Sequence, residues 1–205
     1  MATVILDALA QVIEIDGIQY PVYTDFRGWM DLHHVISDKH ASREAVGGAI
    51  EALFPKGVPS VEVQALGDAL LDFLHNRERE VKPPEEPVLM RDKVREEEEK
   101  EAAKKAPRII DYEHDAGLIL SAFWQSYGID LSRASLHWHI FKALLDGLPD
   151  ECKLRKIMGY RALDSSDYSS MGKEEGKRYR ELQRIYALPD DRTQDEIDAD
   201  FAASL

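Results

Sequence analysis

The chain has 205 residues and a formal net charge of −13, with 44% hydrophobic and 32% charged residues. That length suits one large or two small cored domains, and the acidic balance disfavours non-specific nucleic-acid binding, which needs clustered Lys and Arg. A single cysteine, Cys152, excludes an intramolecular disulfide and fits a reducing cytoplasm. No basic stretch with a following apolar core opens the chain, and no apolar run nears the ~20 residues of a bilayer span, so a cytosolic protein without membrane attachment is expected.

Residues Val12 to Tyr23 alternate apolar and polar around Asp16-Gly17. This is the signal of a hairpin with a type I′ turn, whose two central residues need positive φ. Pro21 confines the second strand to an edge or ends it. Thr24 or Asp25 then caps a helix with Phe26, Trp29, Met30, His33 and Ile36 on one face. Ser42 opens a second helix through Ala45, Ala49 and Leu53, stopped by Phe54-Pro55-Lys56-Gly57, with Gly47-Gly48 read as close helix packing. Ser60 opens a third, carrying Val63, Leu66, Leu70, Phe73 and Leu74. The hairpin and these helices make a first domain over 1–77.

Between 78 and 107 the chain is dominated by charge, and Pro83, Pro84 and Pro87 block a helix at its start. The rest is rich in Glu, Lys, Arg and Ala with almost no apolar face, so this stretch reads as a charged linker, mobile or helical. A second domain over 108–189 starts at Asp111, an N-cap with Glu113 and Asp115 on the first-turn dipole. Helices are expected at roughly 112–126, 133–146, 151–162 and 173–187, with Gly128 and Gly147 as left-handed C-terminal caps. Asp150 stands where an N-cap belongs, and a polar loop separates the last two helices. Residues 190–205 form an acidic tail, where Thr193-Gln194-Asp195-Glu196 is a capping box that adds one more short helix. The fold class expected is therefore mainly α: an N-terminal β-hairpin plus helices, a charged linker, and a C-terminal helical bundle.

The chemistry-bearing residues do not assemble into a catalytic pattern. His33 and His34 point about 100° apart on a helix, and His137 and His139 about 200° apart. Neither spacing is the i, i+4 arrangement by which helical histidines share a zinc ion, so no metal is expected. Cys152 lies at the first turn of an expected helix, but no Gly-rich loop or spaced His and Asn supports a catalytic thiol. There is no GxSxG, phosphate-cradling loop or GxGxxG, and the chain reads as a non-enzyme without a cofactor.

Lys153, Arg155, Lys156, Arg161, Lys173, Lys177, Arg178, Arg180 and Arg184, with Tyr160 and Tyr179, sketch a nucleic-acid surface. Glu174, Glu175, Glu181, Asp164 and Asp167 interleave with them, as on an ordinary charged helix face, and no nucleic-acid partner is expected. The aromatic residues carry more information. Phe123 and Trp124 are helical neighbours and cannot share one direction, while Trp138 and Phe141 share a face flanked by Ile140 and Leu144. A helix apolar over so wide an arc is either central to its bundle or presents part of its surface to a partner. The candidate partner-binding residues are Phe123, Trp124, Tyr127, Trp138, Phe141 and Leu145.

An ordered series runs through the whole chain. It begins with Asp16-Gly17, Tyr20-Pro21, Thr24-Asp25-Phe26-Arg27 and Trp29, then Leu53-Phe54-Pro55 and Pro59. It continues with Asp111, Ile129-Asp130-Leu131, His137-Trp138, Phe141, Leu144-Leu145, Leu148-Pro149 and Arg161, and closes on Tyr186-Ala187-Leu188-Pro189. Over most of its length the chain resembles the bacteriophage gene-product-fifteen family, with His139 standing where relatives carry an aromatic.

The resemblance implies a tail assembly chaperone of long-tailed phages (siphoviruses), encoded beside the tape-measure gene. Such a protein would coat the long, largely helical tape-measure protein, keep it soluble, and give way to tail-tube subunits. The implied partners are the tape-measure protein, then the tail-tube protein or a second copy of this chain. The implied location is the host cytoplasm, with no copy in the mature virion. The alternative is a minor structural or tail-completion protein retained in the particle, and a host-directed regulator is a third class.

Overall fold

The computed structural model describes residues 10–38, 40–75, 108–189, 192 and 194–204. Among them the chain is mainly helical, with nine helices and one two-stranded antiparallel hairpin. The expected linker at 78–107 and Thr193 of the expected capping box lie outside the described residues.

Two compact units divide the chain. Of the described residues, 10–75, 133–147 and those from 197 onward form the first, and 108–132 with 148–196 form the second. This corrects the expected division into 1–77 and a contiguous 108–189 bundle with a separate 190–205 tail. A stretch from the middle of the chain and another from its end complete the first unit.

In the first unit, β1 (Val12–Ile15) pairs with β2 (Ile18–Pro21), in register from Val12↔Pro21 to Ile15↔Ile18. Asp16 and Gly17 have φ of 51° and 78°, the two positive values a type I′ turn demands. Ile13 and Ile15 point inward with Glu14 outward between them, the period-two alternation of a half-buried strand. Pro21 is the last residue of β2, and beyond it the Val22 N–H still donates to Gln11 O at 3.1 Å, so the proline stands at the strand's end, where its missing N–H is tolerated.

Helix α1 (Phe26–Ser37) is capped by Asp25, whose carboxylate accepts the Arg27 N–H at 3.1 Å. Phe26, Trp29, His33 and Ile36 are buried as the spacing predicts, together with Leu32, while Met30 is only half-buried. Helix α2 (Arg43–Leu53) is capped by Ser42, whose hydroxyl accepts the Ala45 N–H at 3.2 Å. Its buried face is Val46, Ile50 and Leu53, one residue round from the expected Ala45 and Ala49, because Val and Ile remove more apolar area from water than Ala. The close approach of these helices is at Gly28, where a Cβ would lie 3.1 Å from Leu53 Cδ2, whereas Gly47 and Gly48 face open space.

Helix α3 (Val63–His75) starts three residues after Ser60 and leaves Val63 exposed. It buries Leu66, Gly67, Ala69, Leu70, Leu71, Phe73 and Leu74, an arc too wide for one neighbour. Trp29 stacks on Phe73 with ring centroids 4.2 Å apart.

Residue 133 ends a turn, and residues 134–137 are not helical. The Phe26 N–H donates to Leu136 O at 2.9 Å and the Trp138 N–H to Thr24 O at 2.7 Å, an isolated antiparallel bridge between Asp25 and His137. Arg27 donates to Ala134 O at 2.7 Å and Ser135 to the Asp25 carboxylate at 2.9 Å, so the segment is held along the start of α1. Helix α5 (Trp138–Asp146) follows, five residues later than expected, with His137 as its N-cap. Phe141 stacks on Phe26 (5.0 Å, 12°) and on Trp138 (5.6 Å, 17°). The last element, α9 (Gln194–Ser204), adds fully buried Ile197 and Phe201 to the core. Within the expected acidic tail, residues 194–204 are thus a docked helix with Ile197 and Phe201 turned inward.

In the second unit Asp111 does not open a helix directly. Its carboxylate accepts the N–H groups of Glu113 and His114 at 3.0 and 2.8 Å, closing a turn, and α4 (Ala116–Tyr127) begins after Asp115. Gly128 ends it in the left-handed conformation at φ 67°, its N–H reaching the Phe123 and Trp124 carbonyls. Gly147, at φ −81°, is not such a cap. Helix α6 (Lys153–Ala162) has Cys152 at its N-cap position, so Asp150 is not the cap. The expected polar loop contains α7 (Ser165–Ser170), where Asp164 and Asp167 accept each other's backbone N–H at 3.0 and 2.9 Å. Helix α8 (Lys173–Ile185) completes the unit.

Candidate partner surface

The six candidate residues separate into two sets. Trp138, Phe141 and Leu145 lie in the core of the first unit, with Trp138 only 1% exposed. Phe123 is fully buried within the second unit. These four present no surface, which corrects their expected role as partner contacts: α5 is apolar over a wide arc because it is central.

Trp138 has a further duty at the end of α3. Its indole N–H donates to Leu74 O at 2.8 Å, Lys142 Nζ to the same carbonyl at 3.1 Å, and His139 Nε2 bonds Phe73 O at 3.0 Å. The last carbonyls of a helix have no partner within it and carry the negative end of its dipole, so three side chains of α5 supply what α3 lacks. His137 holds the start of α5 with both ring nitrogens, Nδ1 accepting the His139 N–H at 3.1 Å and Nε2 bonding Ala10 O at 2.9 Å.

Burial pushes the His139 imidazole below its ordinary value, and although the Phe73 carbonyl pulls it upward, nearby His137 and Lys142 push it further down. A depressed folded-state value means that the unfolded chain takes up the proton first. His139 therefore supports the fold fully above about pH 6.5, and that support is lost as pH falls below it. His139→Gln, which retains a donor for Phe73 O but does not titrate, is expected to flatten urea-denaturation midpoints measured between pH 7.5 and 5.5. An unchanged slope would remove His139 from the pH dependence.

Trp124 and Leu120 stand opposite the buried face of α4, at 59% and 43% exposure. Among the described residues, they are the only exposed large hydrophobics that share a helix. Adjacent helical residues point about 100° apart, so burying Phe123 drives Trp124 outward. Tyr127 is half-buried, its ring edge-on to Phe123 at 5.7 Å. The other exposed positions of α4 are Ala116, Gly117, Ser121 and Gln125, and the Gln125 amide donates to the Ser121 hydroxyl. Of the described helices α4 alone contains no Asp, Glu, Lys or Arg. A solvated helix face is ordinarily charged, whereas interface centres are depleted in charge and enriched in Trp and Tyr.

The alternative surfaces are weaker. Arg161 is withdrawn from solvent into a bidentate pair with Asp115, its NH2 donating to Oδ1 at 2.9 Å and its NH1 to Oδ2 at 2.5 Å. Arg180 lies over the Tyr168 ring at 4.7 Å, Arg184 pairs with Glu181 at 2.7 Å, and Arg155 approaches Asp150 at 3.7 Å. The basic residues of α6 and α8 are thus partly consumed in local contacts. Among the described residues no three or more His, Cys, Asp or Glu side chains are grouped to hold a metal ion, and no helix is long and apolar enough to cross a membrane.

Sequence reasoning missed the partner of Arg161. Asp115 reads as a first-turn acid, but it is 1% exposed and its Oδ2 also accepts the Asp111 N–H at 3.1 Å. Arg161 in turn donates to Ile109 O at 3.0 Å and Tyr186 O at 2.6 Å. One ion pair thereby ties the start of α4, the end of α6, the irregular entry at 109–111 and the end of α8. Only an unusual demand for Arg161 at that position could have signalled it.

No curated protein and no solved structure matches the chain. The family model described as Bacteriophage Gp15 protein matches residues 5–188, and the chain belongs to that family.

Proposed function

We propose that the protein is a phage tail assembly chaperone that binds and solubilises the tape-measure protein in the host cytoplasm and leaves before the virion matures. The observation that carries this reading is the uncharged face of α4, with Leu120 and Trp124 exposed four residues apart. A long amphipathic helix exposes an apolar stripe that aggregates unless covered, and helix recognition works through apolar anchors at such spacings. A net charge of −13 keeps a coated complex soluble by repulsion. Membership of the phage family is consistent with a binding role in phage assembly.

The test is co-expression with the tape-measure protein of the same phage, scored by the client's solubility and co-purification. Leu120→Glu with Trp124→Glu is expected to leave the fold intact, since exposed substitutions change stability by roughly 0.5 kcal/mol or less. It should cut co-purification about tenfold or more, because buried Trp anchors dominate interfaces. Binding unchanged in this variant would move the contact elsewhere on the molecule. A wild-type chain that is folded yet leaves the client insoluble, and is found in purified virions, would replace the chaperone by a structural tail component.

A further inference from the structure

The C-terminal helix has features that the chaperone reading does not use. The family match ends at residue 188, and α9 (Gln194–Ser204) lies wholly beyond it. Yet Ile197 and Phe201, four apart on one face, are among the most buried side chains of the molecule, and from Ile197 onward the helix belongs to the first unit. The surface it covers is therefore built by residues within the family-matched part, while its cover is not.

The contact is specific as well as apolar. Asp198, beside Ile197, brings Oδ2 to 2.8 Å from His75 Nε2 at the last residue of α3. That end of α3 also receives His139 and Lys142 on its terminal carbonyls. The helix seated there is acidic, with Asp195, Glu196, Asp198 and Asp200 and no Lys or Arg. The Asp198 carboxylate of the helix and the Lys142 ammonium at the end of α3 are opposite in sign.

We infer that α9 is a built-in occupant of a helix-binding surface on the first unit, and that this surface accepts an acidic amphipathic helix from another protein when α9 leaves. The partner would carry two large apolar residues four apart and a carboxylate beside the first. This inference concerns a different unit from the Leu120–Trp124 face and does not rest on the tape-measure reading. Because α9 is tethered, its effective concentration at the surface is high. An outside helix binds only in proportion to the fraction of molecules in which α9 is undocked.

The experiment uses the full chain with Ile197→Asp and Phe201→Asp, which releases α9 without shortening the protein. A fluorescent peptide of residues 190–205 is titrated against this variant and the wild type by anisotropy. The variant should bind about tenfold or more tighter than the wild type, and a peptide carrying the same two substitutions should bind neither. The inference falls if the folded variant binds no better than the wild type, or if the substituted peptide binds as well as the native one. It also falls if the wild type is a dimer that the peptide dissociates, since the occupant is then a second copy. Should the double variant fail to fold, Asp198→Ala, which removes the contact to His75, is expected to raise peptide binding by a smaller factor. No rise in that variant overturns the proposal.

Discussion

Arg161→Ala is expected to unfold the second unit or bring it close to unfolding. The guanidinium is almost inaccessible and its partner Asp115 is more deeply buried still. Removing one member of a buried pair leaves the other charged and unpaired, at a cost of about 3–5 kcal/mol. That is a large part of the roughly 5–15 kcal/mol by which a domain is stable, and for a unit of this size it corresponds to roughly 12–40 °C in Tm. The substitution also strips donors from the carbonyls of Ile109 and Tyr186, so the start of α4 and the end of α8 should lose amide-exchange protection together.

A double replacement separates the charge from the connections. In Arg161→Met with Asp115→Leu no buried charge remains, and such swaps are often neutral or better. Here they should recover only part of the loss, because the Asp111 N–H and two carbonyls still lack partners, each costing about 1–3 kcal/mol when buried. Full recovery would mean that water or a shifted backbone satisfies those groups, and that the pair matters only through its charge. Arg161→Lys should behave more like Arg161→Ala than like the wild type, since an ammonium cannot reproduce the planar fork.

The parts of the fold legible in the sequence are those whose cause is local. Asp16-Gly17, Asp25, Ser42 and Gly128 each satisfy a backbone requirement within five residues of themselves, and all four stand where expected. The mainly helical class with one hairpin follows from periods of 3.6 and 2, which are also local. The failures concern partners far along the chain. Residues 134–137 contain nothing that forbids a helix; they stay out of one because Thr24 to Phe26 offer a backbone to pair with. From that one pairing follows the placement of α5 in the first unit, and with it the error in the domain division.

The candidate surface was half legible for the same reason. The Phe123-Trp124 pair states that one of two large aromatics must face away from whatever buries the other, but periodicity cannot say which. The structure turns Trp124 outward. For α5 the wide apolar arc had the opposite outcome, because a hairpin-and-helix unit from earlier in the chain was waiting to cover it. In α9, four acids among eleven residues hid an Ile–Phe pair at i, i+4. Net charge governs solubility, whereas two well-placed apolar residues decide whether a short helix docks.

Trp138→Ala is expected to have the largest single effect in the first unit. The ring is buried, stacks on Phe141, and through it joins the Phe26 stack at the start of α1. Deleting it costs about 3–5 kcal/mol for the lost transfer and the cavity. Trp138→Phe keeps most of the volume and loses the indole donor. Leu74 O would not be orphaned, because Lys142 Nζ already bonds it, so the loss should be nearer 0.5–1.5 kcal/mol, roughly one ordinary hydrogen bond. Lys142→Met alone should likewise be mild. Trp138→Phe with Lys142→Met, by contrast, leaves the carbonyl with neither donor and should cost more than the sum of the two, which is the non-additivity expected of residues sharing one partner. Urea midpoints of the four proteins, read with exchange at the last turn of α3, measure that coupling. Strict additivity would show that water reaches the end of α3 and that α5 contributes there by packing alone.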